Sequence, residues 1–319
     1  DLNFFQNRIQ KAFDLRQKHL NAETNAYRLI YGENDFLPGL IVDCYGEYLV
    51  LQFHTKAIMN FRPEIVDALL SIHPWQGIYE RNDKWLDKRE EVKISDQVLS
   101  GNIPDQVIVQ ENSYKFLVDI KNGQKTGFFL DQREKRRELM RYIPGENLVN
   151  CFSYTGGFSV YALAGGAKKV TSVDISAEAI AVAKENIKLN GFDLDKCEFI
   201  VSDVRDYLRE QEDRSLAVLI LDPPAFIKER QKIKEGLQGY RNLNKLGIQK
   251  IKESGILLSC SCSSHLDLNN FRYLLNSSAN DAKRHLQILS THTHDLDHPE
   301  LLAFTETEYL KSIFLRVWD

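Results

Sequence analysis

Five short segments of this chain carry residue types that could do chemistry. They are Tyr154-Thr155-Gly156-Gly157, Asp174, Asp203, Asp222 with Pro223-Pro224-Ala225-Phe226, and the run from Cys260 to Ser264. Each follows a short apolar, β-rich run. Open parallel sheets bind ligands beyond the carboxyl ends of their strands, so a glycine turn, three carboxylates and two thiols are expected along one edge. A single Asp after a strand is often only a helix cap. Three of them in step with a glycine turn argue for a ligand. A dinucleotide needs its pyrophosphate on a helix N-terminus, usually after GxGxxG, and the loop TGGFS lacks that spacing. Acids would also repel pyrophosphate, but they suit a ribose diol, a free amino group and a sulfonium. S-adenosylmethionine has all three. Asp174, 18 residues after Gly156, is spaced to accept hydrogen bonds from both ribose hydroxyls.

The turn DPPAF (residues 222–226) is the most specific single signal. Two prolines after a strand enforce an extended exit without amide donors, which would hold Asp222 and Phe226 at the sheet edge. A planar base could stack on Phe226, an interaction worth roughly 1–3 kcal/mol. Cys260 and Cys262 follow the next strand. Zinc would need a second close cysteine pair, which the sequence lacks, and the histidines of THTHDLDHP (residues 291–299) have no cysteine or carboxylate cluster at matching spacing. A buried apolar role fits either cysteine alone. A thiol facing a stacked pyrimidine has a use, however: carbon 5 of cytosine attacks a methyl group only after a thiolate has added to carbon 6. One cysteine suffices, and its thiolate needs local activation near neutral pH.

The elements that must position these groups can be read as two domains. Residues 1–103 pattern as a small α+β domain: a helix to about residue 20, strand-like runs at 26–31 and 48–53, and a helix at 63–70 opened by Pro63. Trp75 and Trp85 read as packing residues. A hairpin, 106–110 with 114–120, leads into residues 104–319, where strands at 148–152, 170–175, 199–201, 217–221 and 256–259 alternate with helical segments. Such alternation implies a mostly parallel sheet wound on both faces. The helix at 177–189 starts after the cap Ser176 and stops at Asn190-Gly191. Runs at 285–291 and 313–318 add strands, one of them a candidate for antiparallel pairing.

The 319 residues, 43% hydrophobic and 27% charged, are those of an ordinary globular chain, and no apolar run approaches the roughly 18 residues a membrane span needs. Five cysteines without a leader pattern suggest a reducing cytoplasm. The chain starts on Asp1 and enters a helical pattern at once, which suggests residues missing upstream. A net charge of -4 argues against coating nucleic acid by charge alone. Two segments run the other way: 121–141 has seven basic residues against three acidic, and 225–252 has eight against two. Both flank the motifs above, which favours a polyanionic substrate over merely solvated helix faces.

KTGFFLDQR (125–133), NCFSYTGGFSVYAL (150–163), VDIS (173–176), DPPAF, SCSSHL (261–266) and DHPELLAFTETEYLK (297–311) together resemble the class I S-adenosylmethionine-dependent methyltransferases that make 5-methylcytosine in bacterial 23S ribosomal RNA. The resemblance runs along nearly the whole chain. It implies a Rossmann-like methyltransferase domain preceded by a smaller α+β domain; members also carry a PUA domain, and this chain begins about where that domain should end. By matching motif, Cys151, Phe152, Ser153 and Tyr154 with Thr155, Gly156 and Gly157 would lie along the cofactor. Asp174, with Ile175 and Ser176 after it, would hold the ribose; Asp203 and Val204 would border adenine, and Asp222 would sit by the methionine end. Phe128, Gln132 and Arg133 would close over the cofactor. Cys262 would be the nucleophile, beside Asp222 and Phe226. Ala225 stands where other RNA cytosine-C5 enzymes have a second cysteine, so the base for the carbon-5 proton is unassigned. The basic segments after Ala225 and around Arg133 would hold phosphates.

The expectation is therefore an RNA methyltransferase using S-adenosylmethionine on 23S rRNA in the cytoplasm, with monomer and homodimer both open. An enzyme of the same fold methylating an exocyclic nitrogen or a guanine is the nearest alternative. A catalytically silent RNA-binding or ribosome-assembly factor is the next. A nicotinamide dehydrogenase is disfavoured by the TGG loop.

Overall fold

A computed structural model describes residues 1–82 and 95–319. They form two compact units, residues 1–133 with 295–305, and residues 134–294 with 306–319. The division thus falls 30 residues later than the expected 103/104 boundary, and a late segment returns to the first unit. The hairpin β6 (Val107–Glu111) and β7 (Tyr114–Val118) belongs with the first unit because its backbone is tied there. The Asn25 amide donates to the Gln110 carbonyl at 2.9 Å, and the Gln110 amide donates to Asn25 Oδ1 at 2.6 Å.

In the first unit, α1 (Leu2–His19) begins at Asp1, whose carboxylate accepts the Asn3 amide, and buries Phe5, Ile9 and Ala12 along one stripe. Strands β1 (Ala26–Tyr31), β2 (Leu40–Tyr45), β3 (Tyr48–Phe53), β4 (Gly77–Glu80) and β5 (Gln97–Gly101) form one sheet in that order. Helix α2 (Lys56–Met59) and then α3 (Arg62–Ile72), which carries Pro63 in its first turn, connect β3 to β4, and those two strands pair in parallel as a helical crossover allows. Trp75 is buried in this core, as expected. Trp85 lies outside the described residues. Two buried ion pairs hold the late segment and the edge of α1 in place. Arg16 binds Asp35 through its two terminal guanidinium nitrogens at 2.6 and 2.7 Å, and Arg133 binds Asp297 at 2.7 Å with both side chains almost fully covered.

The second unit follows α4 (Arg133–Leu139) as strand-helix pairs: β8 (Asn147–Cys151), α5 (Gly157–Ala164), β9 (Lys169–Asp174), α6 (Ala177–Leu189), β10 (Cys197–Val201) and α7 (Val204–Glu210). Next come β11 (Leu216–Leu221), α8 (Ile233–Lys250), β12 (Ile251–Ser261), α9 (Leu268–Asp281), β13 (His285–His292) and β14 (Lys311–Trp318). The sheet order is β10-β9-β8-β11-β12-β14-β13. The strands from β10 to β12 are parallel, and β14 is antiparallel to both of its neighbours. This is the doubly wound α/β architecture expected from the alternation, with the antiparallel partner supplied by the last strand. The order reverses between β8 and β11, which opens a crevice at their carboxyl ends. Tyr240, Leu243 and Ile248 of α8 and Phe271, Leu274 and Leu275 of α9 pack with Leu219, Leu257 and Leu315 of the sheet. Each fully buried side chain of this kind stabilises the unit by about 1.5–3 kcal/mol. Among the described residues, no helix is long and apolar enough to cross a membrane.

Candidate active site

Strand register sets the site. Ser259, Leu221, Cys151, Val173 and Ile200 are level across the sheet. One residue further on, Cys260, Asp222, Phe152, Asp174 and Val201 form the crown at the carboxyl edge. The loop after β8 then turns back on the sheet: Phe152 and Tyr154 take left-handed φ of 57° and 47°, and the Ser153 amide donates to the Val173 carbonyl at 3.0 Å. Gly156 is also left-handed, and a Cβ there would stand 2.9 Å from that of Ala183 on α6. Only glycine lets the loop approach so closely.

Asp174 is the anchor of this loop. Its Oδ2 accepts the Tyr154 amide and its Oδ1 the Ser176 amide, both at 2.9 Å. A carboxylate offers about four acceptor positions, so each oxygen retains capacity for a ligand hydroxyl. Ser176 caps α6 by accepting the Ala179 amide, and Ile175, between Asp174 and Ser176, is 74% exposed. Asp203 is the helix cap that a lone strand-end Asp suggests: its Oδ1 accepts the amides of Arg205 and Asp206 at 2.8 and 3.3 Å. Beneath the loop, the Asn150 side chain donates to Ser159, which shares a hydrogen bond with Ser172, all three buried.

Across the crevice, the DPPAF turn and the cysteine segment are joined. Phe226 and Tyr240 have ring centroids 4.6 Å apart, the Ile227 amide donates to Ser263 Oγ at 3.2 Å, and the hydroxyls of Tyr240 and Ser263 are 2.9 Å apart. Arg205 places its guanidinium 5.6 Å from the Phe226 ring. Gly236 on α8 makes room for the turn, since a Cβ there would lie 2.8 Å from the Phe226 carbonyl oxygen. Cys262 is half-buried, and its thiol donates to the Pro223 carbonyl at 3.9 Å. Cys260 is fully buried within β12. Burial raises the thiol of Cys151 well above its ordinary range, and that of Cys197, at the opposite end of β10, to about 11. Of the thiols in this unit, Cys262 is the one both accessible and set against the turn.

The profile of the S-adenosylmethionine-dependent methyltransferases matches residues 63–305. The chain belongs to that family. This methyltransferase is 39% identical over 321 aligned positions to ribosomal RNA large subunit methyltransferase I of Cronobacter sakazakii, covering 99% of the present chain and 81% of the relative. It is 38% identical, with the same coverage, to the protein of that name from Escherichia coli. The crystal structure of SMU.776, assigned as a methyltransferase and complexed with SAH, superposes with a TM-score of 0.87 at 26% identity, covering 99% of this chain and 82% of that one. The cofactor of this methyltransferase is S-adenosylmethionine.

Several expected site residues of the methyltransferase also make contacts within the protein. Phe128, Gln132 and Arg133 lie in the first unit and are each 3% exposed or less. Phe128 packs on Phe116 with centroids 4.9 Å apart, and its amide donates to the Tyr45 hydroxyl. Arg133, expected to close over the cofactor, pairs with Asp297 at 2.7 Å and is itself sealed from solvent within the basic segment around it. Lys135 and Arg136 are buried as well. The second basic segment does present charge, with Lys228, Arg230, Lys232 and Lys234 exposed. The histidines of THTHDLDHP have protein partners: His292 pairs with Glu138, His294 accepts the Leu310 amide, and His298 is buried beside Asp297. Among the described residues, no three His, Cys, Asp or Glu side chains group to hold a metal ion.

Three residues of the site escaped the sequence reading. Asn186 of α6 donates to the Thr155 carbonyl at 2.8 Å and fixes the glycine loop. Tyr240 joins the two motifs. Lys311 donates to the Ser263 carbonyl at 2.7 Å. Asn186 and Tyr240 sit on helical stripes where apolar packing is the default reading, and only their polar atoms hint at more.

Proposed function

We propose that this methyltransferase acts on large-subunit ribosomal RNA in the cytoplasm and methylates carbon 5 of a cytosine through a covalent adduct with Cys262. The observation that carries the reading is the thiol against the turn: Cys262 reaches Pro223, while Cys260 is sealed in the sheet. The named relatives, at 38–39% identity over almost the whole chain, support the ribosomal RNA substrate.

The residues at the crown fit the cofactor. Asp174 has acceptor capacity for both ribose hydroxyls, exposed Ile175 offers apolar surface to the adenine ring, and the backbone of Asp203 and Val204 borders it. Asp222, at the topological switch point, suits the amino group of the methionine end, with residues 151–157 alongside. Bound there, S-adenosylmethionine supplies an electrophilic methyl group on its sulfonium.

The chain's own residues do the rest. Unstacking the target base costs a few kcal/mol, which stacking on Phe226 offsets by roughly 1–3 kcal/mol. Asp222 and Phe226 hold the base with carbon 6 toward Cys262. The thiolate forms its bond to carbon 6, and the carbon 5–carbon 6 π pair moves to carbon 5, making it nucleophilic. Lys228, Arg230, Lys232 and Lys234 hold backbone phosphates.

Incubation of a 5-fluorocytidine-substituted large-subunit RNA fragment with the chain and S-adenosylmethionine tests the reading. An RNA adduct mapped to Cys262 by mass spectrometry supports it. Methylation without an adduct, retained in Cys262→Ala, points instead to an exocyclic nitrogen or a guanine. Absence of cofactor binding by calorimetry points to a silent RNA-binding factor.

A further inference from the structure

Lys311 opens β14 and is fully buried. Antiparallel register sets it opposite Ser261, and its ammonium donates to the carbonyls of Ser263 and Tyr309, both at 2.7 Å. Ser261 and Ser263 flank Cys262. The lysine therefore spans the backbone on both sides of the thiol. Among the described residues no carboxylate lies at ion-pair distance from it, and its hydrogen-bond acceptors are those two neutral carbonyls.

Burying a lysine without an anion is costly, and carbonyls offset only part of that cost. An anion does arise at this place in the proposed reaction. We propose that Lys311 is the counter-cation of the Cys262 thiolate, and that through the Ser263 carbonyl it holds the sulfur against the Pro223 turn. The inference rests on the reading of Cys262 as nucleophile and deepens it. Lys311 is a positioning residue: fully covered, it acts on the substrate only through the cysteine.

The charge balance is simple. The thiol gives its proton to solvent while Lys311 keeps its own, leaving ammonium and thiolate. The sulfur lone pair then forms the bond to carbon 6; after methylation carbon 5 gives its proton to solvent water, the carbon 5–hydrogen pair restores the carbon 5–carbon 6 double bond, and the carbon 6–sulfur pair returns to sulfur.

The titratable groups around the pair agree with this. Burial pulls Lys311 down to about 8, and the charges of Cys262, Glu308 and Asp267 pull it back up. Tyr240 also faces Cys262; burial raises its phenol, which keeps it neutral at pH 7. The Lys311 ammonium and the Cys262 thiol are thus close enough to couple electrostatically.

The test is the pH dependence of Cys262 alkylation by iodoacetamide, resolved by peptide mass spectrometry on the full chain. Lys311→Met is expected to raise the midpoint by about one pH unit, lower alkylation at pH 7 about tenfold, and leave methyl transfer recoverable at higher pH. Lys311→Arg should restore most of the effect. A second measurement does not depend on how Lys311→Met folds: the ammonium of Lys311, followed by NMR of 15N-lysine protein, should titrate lower in Cys262→Ala than in the parent chain, because coupling is reciprocal. An unchanged Lys311 titration in Cys262→Ala overturns the proposal, as does an unchanged Cys262 midpoint in folded Lys311→Met. Failure of the nucleophile reading looks different: Cys262→Ala would then methylate RNA normally, whatever the alkylation midpoint does.

Discussion

The phenol of Tyr240 lies 2.9 Å from the hydroxyl of Ser263, and this hydrogen bond joins the DPPAF turn to the cysteine segment. Tyr240 also accepts the Phe226 amide at 3.4 Å, while Ser263 accepts the Ile227 amide. Two motifs distant in sequence thereby share one hydroxyl pair. Tyr240→Phe is expected to destabilise the chain by about 1–2 kcal/mol, seen as a lower urea midpoint, because it leaves buried polar groups short of a partner. Turnover should fall while calorimetric affinity for S-adenosylmethionine is kept.

The two cysteines should separate cleanly. Cys262→Ala is expected to lose methyl transfer by at least about a thousandfold, as removal of a covalent nucleophile does, with cofactor affinity unchanged. Cys260→Ala should remain active and lose stability only by about 1 kcal/mol, the cost of a small buried void. Single-turnover transfer of labelled methyl to RNA, alongside denaturant unfolding, reads both.

Asp174 accepts two backbone amides and is proposed to hold the ribose. Asp174→Ala is therefore expected to weaken S-adenosylmethionine binding by roughly 1.5–3 kcal/mol for each charge-assisted hydrogen bond removed, or tenfold and more. Isothermal calorimetry measures it, and unchanged affinity would remove Asp174 from the cofactor site.

RNA affinity should fall as salt rises. Replacing Lys228, Arg230, Lys232 and Lys234 by Gln is expected to flatten the plot of log affinity against log salt by about 0.7 for each single-strand phosphate no longer neutralised. Arg133→Gln tests the converse, since a buried arginine should leave that slope untouched. Filter binding across a salt series decides both.

Acid should loosen the first unit through Asp297. Burial pushes its carboxyl up, but Arg133 and His298 beside it outweigh burial and hold it well below the usual carboxylate range. Its contribution is therefore complete above about pH 4 and is lost as pH falls toward the lower native value. Asp297→Asn is expected to cost about 3–5 kcal/mol at pH 7, because a buried guanidinium loses its partner. That difference should shrink below pH 4. Denaturant unfolding at pH 7 and pH 3 measures the contrast.

Much of the catalytic unit was legible because its signals are local. Ser176 caps α6 where the pattern places a cap, the DPP exit follows β11, and the alternation of strand and helix yields the parallel sheet. What escaped depends on partners far apart in sequence. Asp297 reads as one polar residue in a loop, yet it returns residues 295–305 to the first unit by binding Arg133, and no periodicity encodes that pairing. Lys311 reads as a charge just before an apolar strand, and only antiparallel insertion of that strand beside β12 brings its amine to Ser263. The first compact unit extends past the expected boundary for the same reason: the β6–β7 hairpin is held by Asn25, a residue with no distinguishing neighbourhood.

The return of residues 295–305 and the place of β14 between β12 and the edge strand β13 bear on how the chain is made. Each unit waits on its final tenth of sequence: the first for Asp297, the second for a strand that must slide between two others. During synthesis, β12 and β13 stand with exposed backbone edges until residues 311–318 leave the ribosome, and such edges invite intermolecular pairing. A nascent chain halted near residue 294 would hold neither unit whole, and chaperone demand should peak there.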